Sequence, residues 1–242
     1  MSVAPSTSAE PSHLTGPSGP TEVRGLTGIP GLTRVENTDP AVLAARCAEL
    51  TRPAYPHQEV YGRYCTIHEY VDCPPDEAYA YLRQGHHLEE WTFSLRNFAP
   101  TGTAGLWVGD DLLEAQTRIY CRVETNAEAR TVDFHCSWDQ GEKLWMIYLM
   151  RVVPAELVLD RPGSVITWTN CRHPFYDANP RPDLAPRSDR AWVGAYWDLF
   201  YAGHTVELAN LKAILEHRHL GGLPVSVPPR PAGAATGPAV AQ

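Results

Sequence analysis

His204 and Glu207, in "HTVELANLKAILEH" (204–217), carry the first chemical signal in this chain. They stand three residues apart, so on a helix both project toward one region. At about 100° per residue, Tyr196, Phe200, Glu207, Leu211 and Ile214 share one arc, with Val193 and His204 beside it. Asp198, Thr205, Lys212 and Glu216 fall on the opposite side. Glu207 is therefore a carboxylate on the apolar arc, where it must be paired, hydrogen-bonded or protonated. Two readings stay open. In one, Glu207 is an acid/base group with a raised pKa, and His204 relays or orients a proton. In the other, Glu207 is a structural group satisfied by an Arg, Tyr or His that fixes the helix in place. A metal-dependent site is a further alternative: His204 and Glu207 make half a helical ligand set, with His68, Glu69 or His173 to complete three ligands. No HExxH motif is present.

A second carboxylate, Glu69, lies in "RYCTIHEYV" (63–71), a stretch dense in β-branched and aromatic residues that reads as a strand. The parity set Cys65, Ile67, Glu69, Val71 slightly favours Glu69 as internal. The other set, Tyr64, Thr66, His68, Tyr70, would place His68 inside instead. The candidate catalytic set is thus Glu207, His204 and Glu69. Around it, Trp91, Tyr148, Tyr196, Phe200, Trp197 and His173 are candidates for contacting a planar ligand, although core packing explains any one aromatic singly. His86–His87, after Gly85, reads as a solvated helix break. No GxSxG, Walker loop or dinucleotide fingerprint occurs, and no cofactor is implied.

These residues need elements to position them. "TDPAVLAARCAEL" (38–50) predicts a helix capped by Asp39, with Pro40 at its first position. "CPPDEAYAYLRQGHHLEEW" (73–91) predicts two short helices split at Gly85. Strands are expected at 92–99, 105–109, 113–125, 130–139, 144–153 and 164–171, joined by turn-forming stretches such as "PTGTA", "GDD" and "DQGEK". Alternation turns Thr117, Ile119, Cys121 and Val123, and likewise Phe134, Cys136 and Trp138, to the inside. Strand 144–153 is apolar on both faces, which predicts a second cover such as a homodimer partner. After a Pro-rich loop (173–189), the last helix is expected from about Arg190 to His219, capped by Ser188 or Asp189 and closed by Gly221–Gly222. Strand, two short helices, six more strands and a long helix make an α+β layer fold: an antiparallel sheet closing on one helix around a cavity.

The bulk numbers set the frame. The chain has 242 residues, 43% of them hydrophobic, enough for one domain with a proper core. Its net charge of −8 and lack of a basic block argue against nucleic acid as a partner. No apolar run approaches a membrane span, and the start "MSVAPSTSAEPSHLTGPSGP" lacks the pattern of a secretory signal. Six cysteines without a CxxC read as reduced, mostly buried thiols of a cytoplasmic protein rather than a structural zinc site of the cysteine type. Residues 1–37 and 221–242, rich in Pro and Gly, read as a disordered extension and a loose tail, 38–62 as helix and linker, and 63–220 as the cavity domain.

"IHEYVDCPPDEAYAYLRQGHHLEEWT" resembles the opening of the START-related SRPBCC superfamily, which includes polyketide cyclases and aromatases. The likeness rests on Val71, Cys73, Pro74, Pro75, Asp76, Glu77, Tyr79, Leu82 and Trp91, and on the element order over about 63–219. It implies a helix-grip fold: a curved antiparallel sheet of about seven strands wrapped around the long C-terminal helix. It also implies a cavity for a small apolar or polyketide-like metabolite. The extension and the 173–189 loop depart from the compact form; the loop either covers the cavity mouth or is decoration. With the inward polar groups, this points to a cofactor-free cyclase, dehydratase or lyase of specialised metabolism. A non-catalytic carrier for an apolar metabolite is the alternative, since fold does not choose between them.

Overall fold

The computed structural model describes residues 26, 29–34, 38–54, 63–114, 116–184 and 191–228. The elements run α1 (Pro40–Ala54), β1 (Tyr64–Val71), α2 (Pro75–Leu82), α3 (Leu88–Trp91), β2 (Leu95–Pro100), β3 (Leu106–Asp111) and β4 (Thr117–Asn126). They continue with β5 (Thr131–Trp138), β6 (Met146–Pro154), α4 (Glu156–Leu159), β7 (Ser164–Cys171) and α5 (Phe200–Leu220). The seven strands form one antiparallel sheet in the order β1-β7-β6-β5-β4-β3-β2. Only β1 and β2 are edges, and α2 and α3 connect them. The curved sheet grips α5, which gives the α+β helix-grip architecture expected from the element order.

Local chemistry explains the starts of the helices. Asp39 accepts the backbone N–H groups of Ala41 at 2.8 Å and Val42 at 3.4 Å, capping α1. In α2, Pro75 fills a first-turn position where an N–H would lack a partner, and Asp76 and Glu77 complement the helix dipole. A register shift in β2 between Arg96 and Ala99, with Asn97 at φ 55°, bends that edge strand.

The structure corrects several sequence expectations. The final helix does not run continuously from Arg190. A 3-10 segment, Val193–Leu199, precedes α5, while the expected caps Ser188 and Asp189 lie outside the described residues. Leu112 and Leu113 belong to an exposed turn, so β4 starts at Thr117 and not at 113. His86–His87 is no solvated turn. His87 is fully buried and stacks on Tyr81 at 4.0 Å, its Nδ1 lies 2.8 Å from the Tyr81 carbonyl, and it receives the Val227 N–H at 3.3 Å.

Parts of both tails are also packed. Leu26, Ile29, Leu32 and Val225 join the main core. The Thr33 N–H donates to Asn210 of α5 at 2.9 Å, and the Asn210 amide returns a bond to the Thr33 carbonyl at 2.7 Å. A helix buried against the sheet on one side and this segment on the other needs apolar residues on more than one face, and α5 has them. Arg218, also on α5, makes a buried ion pair with Glu90 at 3.0 Å, and Glu90 accepts the Tyr81 hydroxyl at 2.8 Å.

The doubly apolar strand is partly explained within the chain. Met146, Met150 and Val152 face the core. Trp145 precedes β6 and is covered by Tyr176 (4.9 Å) and Trp192 (5.9 Å) of the 173–199 segment. Leu149, on the outer face, stays 44% exposed.

Candidate functional site

Between the inner face of the sheet and α5 lies a cavity of about 350 Å³. The strand register builds its floor. Pairing Cys121 with Cys136 and Ile119 with Trp138 sets the inward residues of β4 and β5 side by side, and Met146 and Tyr148 of β6 extend the surface. Phe200, Gly203, His204 and Glu207 of α5 form the opposite wall. Leu112, Leu113 and Leu199 line the cavity yet are exposed, so they mark its mouth, next to Leu43 and Ala44 of α1. Gly203 lets the helix approach Phe93: a Cβ there would meet the ring at 3.2 Å.

Glu207 lies inside this cavity, 8% exposed. Its Oε1 accepts the Phe93 N–H at 3.3 Å, its one hydrogen bond among the described residues. Burial pushes its pKa up to about 8; the Phe93 N–H and the Arg96 charge oppose the rise, and Asp111 adds to it. At neutral pH it is therefore mostly a carboxylic acid. The Arg96 guanidinium, fully buried, donates to the carbonyls of Thr92 at 3.0 Å and Phe93 at 3.1 Å, among others. Those bonds hold the α3–β2 turn that presents the Phe93 N–H.

His204 stands on the same wall. Its ring stacks on Trp168 at 4.3 Å and meets the Tyr148 ring edge-on at 5.5 Å. Its Nδ1 lies 3.7 Å from the Cys65 sulfur, and it makes no hydrogen bond to Glu207. Burial lowers its pKa to about 3, so it is a neutral imidazole at working pH. Glu69 follows the expected parity, since Cys65, Ile67 and Val71 are buried, but it lies outside the cavity. It pairs with Lys212 at 3.3 Å and is half exposed, because two turns of α5 separate Lys212 from His204.

Of the expected ligand contacts, Trp91, Tyr148, Tyr196 and Phe200 line the cavity. Trp197 and His173 do not. Trp197 packs behind the wall on Tyr176 at 4.9 Å, and His173 is exposed, set against Phe175 at 4.3 Å. No described residue of the Pro-rich insertion lines the cavity; the segment that follows it supplies Val193, Tyr196 and Leu199 to the wall. The Tyr196 hydroxyl donates to the Glu114 carboxylate near the mouth.

Two titratable lining residues escaped the sequence reading. Asp111 ends β3 at the mouth, and its pKa is raised by burial against the N–H of Leu113 and the Ser94 hydroxyl. "GDD" had the composition of a turn, and only the two leucines after it hinted at a rim. Cys47 of α1 lies near Glu207, and burial, then that carboxyl, raise its thiol pKa. The i, i+4 pair Leu43–Cys47 was the available signal.

The residues named to complete the metal alternative do not join His204 and Glu207 in the cavity. His68 is exposed, Glu69 is on Lys212, and His173 is outside the cavity. Among the described residues, the one His/Cys/Asp/Glu trio with ligand atoms within 4.8 Å of one another is Cys73, Glu77 and His219, toward the other end of α5.

No protein-family model matches the chain, and no curated protein matches its sequence. Solved structures with a similar course include the Zhui aromatase/cyclase from Streptomyces sp. R1128, at 12% identity and TM-score 0.45, covering 64% of this chain and 94% of that one. A START superfamily protein from Mycobacterium smegmatis is 15% identical at TM-score 0.40, covering 66% and 99%. A protein from Chromobacterium violaceum is 14% identical at TM-score 0.43, covering 64% and 98%. The fold assignment stands on the chain's own topology: seven antiparallel strands in this order gripping one C-terminal helix are a helix-grip fold.

Proposed function

We propose that the protein takes a small, apolar, oxygenated metabolite into this cavity and acts on it by cofactor-free acid chemistry of the dehydratase, cyclase or lyase kind. The observation that carries the reading is Glu207: a carboxyl mostly protonated at neutral pH, in a largely apolar cavity, with one backbone hydrogen bond. Such a group protonates a leaving hydroxyl and lets it depart as water, or protonates a carbonyl oxygen as a ring closes. The walls hold a flexible substrate in one reactive conformer. Burial and Tyr176 keep the Tyr148 hydroxyl protonated, so it serves as a donor to a developing enolate oxygen. Neutral His204 supplies a stacking surface and a hydrogen-bonding nitrogen rather than a charge.

A carrier without chemistry is the second reading, favoured by one fact: the single bond of Glu207 ties α5 to the start of β2, as a structural group would. Native mass spectrometry of the full chain identifies the molecule retained on purification, and incubation with wild type and Glu207→Gln separates the readings. Enzyme chemistry predicts a product lighter by one water or isomeric with the ligand. Turnover should fall roughly 10²–10⁴-fold in Glu207→Gln while binding changes a few-fold. Recovery of unchanged ligand from wild type would favour the carrier. A homodimer through the exposed outer face of β6 belongs to the same proposal, and light scattering at micromolar concentration that gives a monomer removes it.

A further inference from the structure

Away from the cavity, three side chains of different chemistry converge from separate parts of the chain. Cys73 ends the turn after β1, Glu77 stands in the first turn of α2, and His219 in the last turn of α5. The His219 Nδ1 is 3.0 Å from Glu77 Oε2, and the Cys73 sulfur is 4.0 Å from the same oxygen. All three ligand atoms lie within 4.8 Å of one another. We propose that Cys73, Glu77 and His219 form a site for one divalent transition-metal ion of the zinc class.

The argument is geometric first. Zinc bonds of about 2.0–2.3 Å to nitrogen, oxygen and sulfur in a tetrahedron set neighbouring ligand atoms roughly 3.3–3.8 Å apart. The separations of 3.0 and 4.0 Å bracket that edge and the third, sulfur to imidazole, is within 4.8 Å, so side-chain adjustments of about an ångström complete the set. Sulfur, imidazole and carboxylate together suit zinc rather than magnesium or calcium. The backbone also holds the ligands. Pro74 and Pro75 stiffen the turn between Cys73 and Glu77. Glu216, one turn before His219, accepts the Asp72 N–H at 2.8 Å and so fastens α5 to the turn that carries Cys73. Charge points the same way: the acidic side chains of Glu77, Glu216 and Asp72 gather around the buried thiol. As a thiol its donor contacts are weak, to the Pro74 carbonyl at 3.8 Å and to Glu77 at 4.0 Å. A cation offsets that field and displaces the proton to solvent, leaving a bound thiolate. His219 and Glu77 are 33% and 45% exposed, which gives the ion an entry path and a water a fourth position. The bound ion would clasp the end of the gripping helix to the turn between β1 and α2.

The test uses untagged full chain, stripped with chelator and titrated with cobalt(II), then zinc. The site predicts one equivalent of cobalt with tetrahedral d–d bands and thiolate-to-cobalt charge-transfer absorption, both bleached by zinc. Cys73→Ala removes the charge-transfer band. His219→Gln, at a more exposed position that leaves the fold intact by circular dichroism, weakens binding at least tenfold. Cys171→Ser, at an exposed thiol elsewhere, changes neither. Absence of one-equivalent binding overturns the proposal, as does a charge-transfer band that survives Cys73→Ala or an affinity indifferent to His219→Gln.

Discussion

Replacing Glu207 with glutamine should make the protein more stable, and increasingly so as pH rises. A carboxyl whose pKa is raised on folding holds its proton in the folded chain after the unfolded chain has released it. Between the unfolded value, 4.5, and the folded value, about 8, the folded state binds more protons, so stability falls with rising pH; below 4.5 and above 8 the group contributes no slope. The full shift corresponds to on the order of 5 kcal/mol, at about 1.4 kcal/mol per unit. Water entering the cavity mouth screens part of this and leaves a few kcal/mol. Glutamine keeps the shape, accepts the Phe93 N–H and never ionises. Urea unfolding of both proteins at intervals from pH 5 to 9 reads the difference directly. The two should be nearly equal at pH 5, diverge by about 1 kcal/mol per pH unit through 7, and level off above 8. A constant difference across that range would refute the burial argument, because it would mean Glu207 ionises normally.

Other perturbations test other parts of the molecule. His87 runs the opposite way: its pKa is lowered by burial to about 4, so the stability it allows is complete above 6.5 and is lost as pH falls toward 4. His87→Gln should flatten acid unfolding in that window, and an unchanged profile would show that its ring is solvated. Arg218→Met strands Glu90 in the core and should cost about 3–5 kcal/mol by denaturant unfolding. Adding Glu90→Gln should restore most of that, and no recovery would deny the pairing. Gly203→Leu projects a side chain from the cavity wall past Phe93. It should weaken binding of a neutral solvatochromic dye at least tenfold in a chain still folded by circular dichroism, and equal affinity would move the ligand site elsewhere.

The strands were legible because their residues alternate. Cys121, Phe134, Cys136 and Trp138 turn inward as periodicity requires, since the sheet has one wet face. Glu207 was legible as an anomaly on an apolar arc. The tertiary partners of polar residues were not legible. Glu69 shares its parity with buried neighbours, but its distance along α5 puts it on Lys212 instead of in the cavity. His87 looked like a turn residue because Gly85 precedes it; the reason for its burial, Val227, is 140 positions away. Leu26, Ile29 and Leu32 sit in a Pro/Gly-rich stretch whose composition hides three apolar anchors. Asp111 could be placed only once β3 had a neighbour on each side and an end at the mouth.

The pH–rate profile of the wild-type protein, acting on the molecule found in its own cavity, tests the central claim most directly. If protonated Glu207 is the acid, turnover is level near neutrality and falls tenfold per unit above about pH 8. A rate that climbs through the same region, or a ligand that leaves unchanged at every pH, would contradict it.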